Sequence, residues 1–380
     1  MAVRWPEGFR SAGIAAGIKG DSALDLGLMV ADRPVEWAGV FTTNAAAAAP
    51  VRWCRDRTGP RVKALVVNSG NANACTGEAG ERTVEQTVAG AAAVVGCSPD
   101  EVLVASTGPI GVPLDPAPIV SALPRAHAAL GDDAHEFSRS ILTTDARIKT
   151  SSTRGGGCSV AAVAKGAAML APNMATMLAF LVTDADLGSA HLQSSLQRAV
   201  SRTFNRLVVD ACESTNDSVF LLATGARTPD DLEAFDAAVE GACSDLAEQM
   251  ARDAEGGTKV VRIRVTGAAD EAAAERAGRA VASSVLWRAA VHGADPNWGR
   301  VLAAIGAGGN VSPHQVVVSI GDEIVFDRGE PAGSPDLARR WMEKDELTVT
   351  CAIGSGPGSA TILTTDLSPQ YVELNAFVTT

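Results

Sequence analysis

The chain has 380 residues and a formal net charge of −12, with no basic stripe, which excludes nucleic-acid phosphate and anionic membrane surfaces as partners. Hydrophobic residues make up 46% and suffice for a large core, but only 4% are aromatic, so packing rests on small side chains set close together. The seven cysteines hold no C-x-x-C pair and the five histidines no H-E-x-x-H, so neither a disulfide framework nor a metal site is expected, and a reducing cytoplasm is the natural home.

In chain order, the opening Met-Ala-Val-Arg-Trp-Pro lacks the apolar centre of a signal peptide. VKALVVNSG at 62–70 reads as a buried strand ending in a loop, and a helix follows over about 78–95. Ser98-Pro99-Asp100-Glu101 forms a capping box with proline at the first helical position. VLVAS at 102–106 is a strand leading into Thr107-Gly108, and a helix over 115–130 is expected to break near Pro124. TRGGGCS at 153–159 is the loosest stretch. From Gly166 to Thr183 no residue is charged. As a membrane span this run fails, because Pro172 removes a helix hydrogen bond and Asn173 sits at mid-depth without a partner; it reads as a buried strand entered through a turn. Ser189 is expected to cap a helix to about Arg206, 218–225 is a strand, and Thr228-Pro229-Asp230-Asp231 opens a long helix that stops at Gly256-Gly257. TKVVRIRVTG at 258–267 alternates with period two, Gly321-Asp322 turns a hairpin, and two strand-like runs flank the glycine-rich 354–358. Helices alternating with strands and hairpins predict an α/β (α+β) fold, a layered sandwich of mixed sheets flanked by helices.

Thr176 is the candidate nucleophile. Read alone, a Thr in a buried strand packs its methyl and bonds its hydroxyl to the backbone. As a nucleophile it needs an adjacent base, and an N-terminal amine can serve. An internal Thr gains that amine only if the chain is cut between Ala175 and Thr176.

KGAAMLAPNMATMLAF at 165–180 resembles the self-cleavage segment of the ornithine acetyltransferases, also called glutamate N-acetyltransferases. GVFTTN (39–44), NSGNANACTG (68–77), STGPIGVPL (106–114), TTDAR (143–147), STNDSV (214–219), GADPNWGRV (293–301) and YVELNAFVTT (371–380) resemble the same family in the same order, so the likeness covers nearly the whole chain. The resemblance implies the fold of that family and of the self-cleaving aminopeptidases. It implies a cut that yields an α chain, 1–175, carrying oxyanion-hole and substrate residues, and a β chain, 176–380, beginning at Thr176. It implies ping-pong transfer of acetyl from N-acetyl-ornithine to glutamate through acetyl-Thr176 in cyclic arginine biosynthesis, with no cofactor, acetyl-CoA as a candidate second donor, and an α2β2 assembly.

By the same resemblance Thr107 and Gly108 form the oxyanion hole, and Thr144, Lys165, Thr176, Glu255, Asn375 and Thr380 bind substrate. The residue types suit these roles. Lys165 borders an uncharged stretch and can pair with a carboxylate. Glu255, read at a helix end, opposes the dipole and so lacks a structural reason. Asn375 and Thr380 otherwise read as a tail. Pro109 has no N–H and adds no donor to the hole. Cys212 and Glu213 depart from the Asp-Thr of relatives, and Cys212 reads as a buried thiol. GSGPGS is a turn rather than a phosphate cradle, and Asp295 and Asn297 are expected to make local turn bonds. Two alternatives stand beside transfer: an amidohydrolase or aminopeptidase with the same Thr and water as acceptor, and an amino-acid-binding protein that never matures.

Overall fold

The computed structural model describes residues 3–20, 22–56, 61–169, 177–308 and 311–376, so Ala175, Thr176 and Thr380 lie outside the described residues. Fifteen strands are described: β1 (Phe9–Ile14), β2 (Leu26–Phe41), β3 (Arg61–Ser69), β4 (Val102–Thr107), β5 (Lys149–Gly155), β6 (Cys158–Lys165), β7 (Leu178–Ala185), β8 (Leu207–Val208), β9 (Ser218–Arg227), β10 (Val260–Ala268), β11 (Val317–Ile320), β12 (Glu323–Asp327), β13 (Glu330–Pro331), β14 (Glu346–Ala352) and β15 (Gly358–Thr365). They form two mixed sheets, β4-β3-β2-β9-β7-β6-β5 with β1 beside β2, and β13-β12-β11-β14-β10-β15-β8.

The first sheet is folded on itself. In a flat sheet of this order the end of β4 and the start of β9 would lie far apart along β2, because β2 pairs β3 from Leu26 and β9 up to Phe41. Yet Asn216, just before β9, donates to the Ser106 carbonyl near the end of β4 (2.8 Å). The sixteen-residue β2 therefore bends, and its register with β3 shifts between Val30 and Val35, around Pro34. Leu28 and Leu65 from one half then share a core with Phe180 and Phe220 from the other. Phe180 stacks on Phe220 (5.7 Å) and meets Phe137 edge-on (5.2 Å).

Both faces of β7 are buried from Leu178 to Thr183, and this accounts for the absence of charge over those residues. Leu178, Phe180 and Val182 enter the inner core, while Ala179 and Leu181 pack under the Ser189–Arg202 and Leu232–Arg252 helices. In the second sheet β10 lies between β14 and β15, so the two runs flanking 354–358 pair with β10 and not with each other. Among the described residues no helix is long and apolar enough to cross a membrane.

Several local expectations are corrected. The Ala117–Ala128 helix runs unbroken through Pro124, which is exposed. Ser189 is the first helical residue and not the cap, which is Gly188 with no side-chain bond, and this helix ends at Arg202 before a separate 3-10 turn, Phe204–Arg206. The capping box at Ser98 holds, but on a three-residue 3-10 turn. The stretch at 153–159 is a tight β5–β6 hairpin whose Gly156 (φ +56°) and Gly157 (φ +74°) take the left-handed conformation such a turn requires. The long helix, capped by Asp231 on Ala234 N–H (3.0 Å), stops at Arg252.

Candidate active site

Thr107 ends β4, Lys165 ends β6, and Met177 precedes β7; the bend in β2 brings these ends together. Lys165 is only 3% exposed, and its ammonium donates to Thr107 Oγ1 (3.3 Å). With its oxygen accepting from Lys165, the Thr107 hydroxyl keeps its own hydrogen free to donate. Gly108 has φ +141°, and a Cβ there would sit 2.4 Å from Asn71 N, so a side chain is excluded. Pro109, which offers no donor, uses its carbonyl to accept Ala72 N–H (3.1 Å). Asn216 ties this loop down by donating to the carbonyls of Ala72 (2.6 Å) and Ser106 (2.8 Å).

Lys165 sits in a buried charge cluster. The Asp145 side chain is fully buried, accepts from Lys149 Nζ (2.7 Å) and Gly166 N–H (2.6 Å), and lies 3.8 Å from Lys165 Nζ. Lys149 also pairs with Asp253 (2.6 Å), the residue that ends the long helix. Burial lowers the pKa of Lys165, and Asp145 opposes that shift. Burial would raise the pKa of Asp145, but Lys165 and Lys149 outweigh it and hold the carboxyl at about 2.

Glu255 and Asn375 form a second pair, with Asn375 Nδ2 donating to Glu255 Oε2 (2.9 Å). The two groups are linked by main chain, since Glu255 N–H donates to the Ala167 carbonyl two residues after Lys165 (2.9 Å). Glu255 lies beyond the helix end, so it does not oppose the dipole as its sequence position suggested. Asn375 belongs to the Pro369–Ala376 helix rather than to an open tail. Thr144 is exposed, on the turn carrying Asp145. Cys212 is exposed rather than buried; burial of its sulfur followed by the nearby Asp210 charge raises its pKa and weakens it as a nucleophile. Asp295 and Asn297 do bond locally (3.1 Å).

Sequence reasoning quoted TTDAR and STNDSV but passed over Asp145, Asn216 and Asp217 within them. An Asp four residues before Lys149 was the available signal for the first. Lys19 carried no signal: Asp25 gathers four backbone N–H groups of residues 16–19, and Lys19 Nζ, held there, donates to the Leu142 carbonyl beside the Thr144 turn. A separate cavity of about 590 Å³ on the second sheet, lined by Arg202, Arg206, Arg262 and Arg264 among others, involves none of these residues. Among the described residues no cluster of three or more His, Cys, Asp or Glu could hold a metal ion.

Comparison with known proteins follows the same lines. A family model described as the ArgJ family matches residues 10–380. The arginine biosynthesis bifunctional protein ArgJ of Thermus thermophilus is 43% identical, with 100% of each chain covered. Its counterpart from Rhizobium meliloti is 43% identical over 97% of this chain and 94% of its own. A solved structure of arginine biosynthesis bifunctional protein argJ from Bacillus halodurans is 36% identical, with a TM-score of 0.50, covering 52% of this chain and 98% of that one.

Proposed function

Because this chain belongs to the ArgJ family, we propose that it is a self-cleaving acetyltransferase of arginine biosynthesis, moving acetyl from N2-acetyl-L-ornithine to L-glutamate. The observation that carries this reading is the convergence of Thr107, Gly108 and the buried Lys165 on the end of the sheet where β7 begins, two residues past Thr176. A hydroxyl with a free hydrogen and a glycine N–H are the donors a tetrahedral oxyanion needs, and the desolvated cation beside them suits a substrate carboxylate.

In the proposed maturation Thr176 Oγ attacks the Ala175 carbonyl. The C–N bond gives way to an ester, the hydroxyl proton passes to the departing nitrogen, and water releases 1–175 and 176–380. The freed α-amine, with an ordinary pKa of ~8, then takes the Thr176 hydroxyl proton as Oγ attacks the acetyl group. Thr107 and Gly108 stabilise the oxyanion, ornithine leaves with the proton, and the glutamate amine attacks acetyl-Thr176. Thr144, Lys165, Glu255, Asn375 and Thr380 bind the amino acid, with Lys165 on its carboxylate and Glu255 on its ammonium. Support for the cut comes from the Bacillus halodurans chain, covered almost whole by 52% of this one; residues 176–380 are 205 of 380. The word bifunctional in the relatives' names is consistent with acetyl-CoA as a second donor.

Denaturing mass measurement should give two chains, the second beginning Thr-Met-Leu, while Thr176→Ala stays single near 38.9 kDa. Incubation with N-acetyl-ornithine and glutamate should yield N-acetyl-glutamate, and replacing the donor by acetyl-CoA reads out the second activity. A wild type that remains one chain sinks maturation, and free acetate as the sole product makes the protein an amidohydrolase.

A further inference from the structure

Lys19 is a cation that the reaction proposed above leaves unused, although the fold holds it firmly beside the site. Asp25, fully buried, accepts the N–H groups of residues 16–19, that of Lys19 included (3.0 Å). The stem of Lys19 runs over Gly70, where a Cβ would lie 2.6 Å from Lys19 Cγ. Gly70 in turn backs Gly108, whose own Cβ would lie 2.6 Å from the Gly70 carbonyl carbon. The stem thus stands one glycine away from the oxyanion-hole loop. Its Nζ donates to the Leu142 carbonyl, two residues before Thr144 and three before Asp145, the carboxylate beside Lys165.

Among the described residues the Lys19 ammonium has only main-chain acceptors, the carbonyls of Leu142 and Leu24 (3.4 Å), and no ion pair. An ammonium has three hydrogens, so one is left for a ligand. Burial lowers the pKa of Lys19; Asp25 opposes this shift, and the Lys165 charge adds to it. Two ammonium groups that repel each other are both relieved by an anion bound between them.

The proposed reaction asks one site to take two side chains of opposite charge. That of N-acetyl-ornithine ends in an ammonium, which suits Glu255. That of glutamate ends in a carboxylate, which Glu255 repels. Lys165 feels the charge of Glu255, whereas the charges that act on Lys19 are those of Asp25, Lys165 and Asp145. Lys165 therefore has an anionic group on one side and a second cation on the other.

We propose that Lys19 selects glutamate as the acceptor: with the α-carboxylate of the amino acid on Lys165, the γ-carboxylate turns to the Lys19 ammonium, while the ornithine ammonium turns the other way, to Glu255. The assignment rests on the acetyl transfer proposed above. No covalent bond is made or broken at Lys19.

Lys19→Gln keeps a hydrogen-bond donor for the Leu142 carbonyl and removes the charge. Glutamine, which has the shape of glutamate without its side-chain charge, is the comparison acceptor. With N-acetyl-ornithine as donor, wild type should prefer glutamate over glutamine at least about tenfold in kcat/KM. In Lys19→Gln, kcat/KM for glutamate should fall at least about tenfold, chiefly through KM, and that for glutamine should stay within about threefold. Release of ornithine in a single turnover without acceptor should stay within about twofold, and Lys19→Arg should keep most of the preference for glutamate. A glutamate-to-glutamine ratio that Lys19→Gln leaves within about twofold of wild type overturns the assignment, and an equal loss with both acceptors would mark a residue that only braces the turn. Should Lys19→Gln not fold, Lys19→Arg and wild type decide: a preference present in wild type and kept by Lys19→Arg supports the role, and indifference to the acceptor's charge in either overturns it. A wild type that acetylates neither acceptor defeats the transfer reading and this assignment with it, whereas an unmoved ratio in an active enzyme defeats this assignment alone.

Discussion

At Asp145 a single buried carboxylate answers two buried ammonium groups, Lys149 and Lys165. Its pKa in the fold, about 2, lies below the ordinary 3.8. A depressed carboxyl contributes stability that is fully present above pH ~4 and is lost as pH falls through about 2; the shift corresponds to about 2 kcal/mol. Asp145→Asn leaves Lys165 without its nearest countercharge and should cost about 3 kcal/mol in urea unfolding at neutral pH. The variant should also lack the Asp145 share of the acid-side decline expected of wild type between about pH 4 and 2. An unchanged urea midpoint would mean that Asp253 alone neutralises the cluster. The sequence displayed TTDAR and Lys165 but could not pair them, since the two meet only where β6 ends against the turn.

The Pro369–Ala376 helix is held by a turn rather than by a core, for none of its residues is buried. Gly256 has φ +66°, and a Cβ there would lie 2.3 Å from Tyr371 N. Ser368 Oγ donates to the Gly256 carbonyl (2.5 Å) and Asn375 bonds Glu255. Gly256→Ala should therefore undock the helix. We expect faster amide exchange over 369–376 and a KM for the amino-acid substrate raised about tenfold, with kcat changed less. Unaltered exchange in that helix would show that it docks by other means. At this scale strands such as β3, β4 and β7 were legible, because period-two or continuous apolar patterns survive whatever the strand pairs with. The end of the long helix was not: Gly256-Gly257 looked like its stop, but Asp253 turns the chain earlier to serve Lys149, Ala146 and Arg147.

Across the whole molecule, the cut proposed at 175/176 would divide the chain without dividing the fold. β6 lies before it and β7 after it, and they share six register pairs; β2 and β9 share six more across the same boundary. Separating 1–175 from 176–380 would break both ladders and expose the Phe180–Phe220 core to water. If the chain is cut as proposed, the two halves should therefore co-elute in native size-exclusion chromatography and part only in denaturant; halves that separate in dilute native buffer would contradict this topology. The sequence by itself determined the fold class, most strands and the run of motifs that marks the family, because these depend on local pattern and residue identity. The tertiary structure alone decided that Lys165 lies on Thr107, that Glu255 answers Asn375 and that Asp217 grips Met177. The reason is that a bent β2 closes the sheet, and contacts between residues far apart in the chain are set by that closure and leave no periodic trace along it.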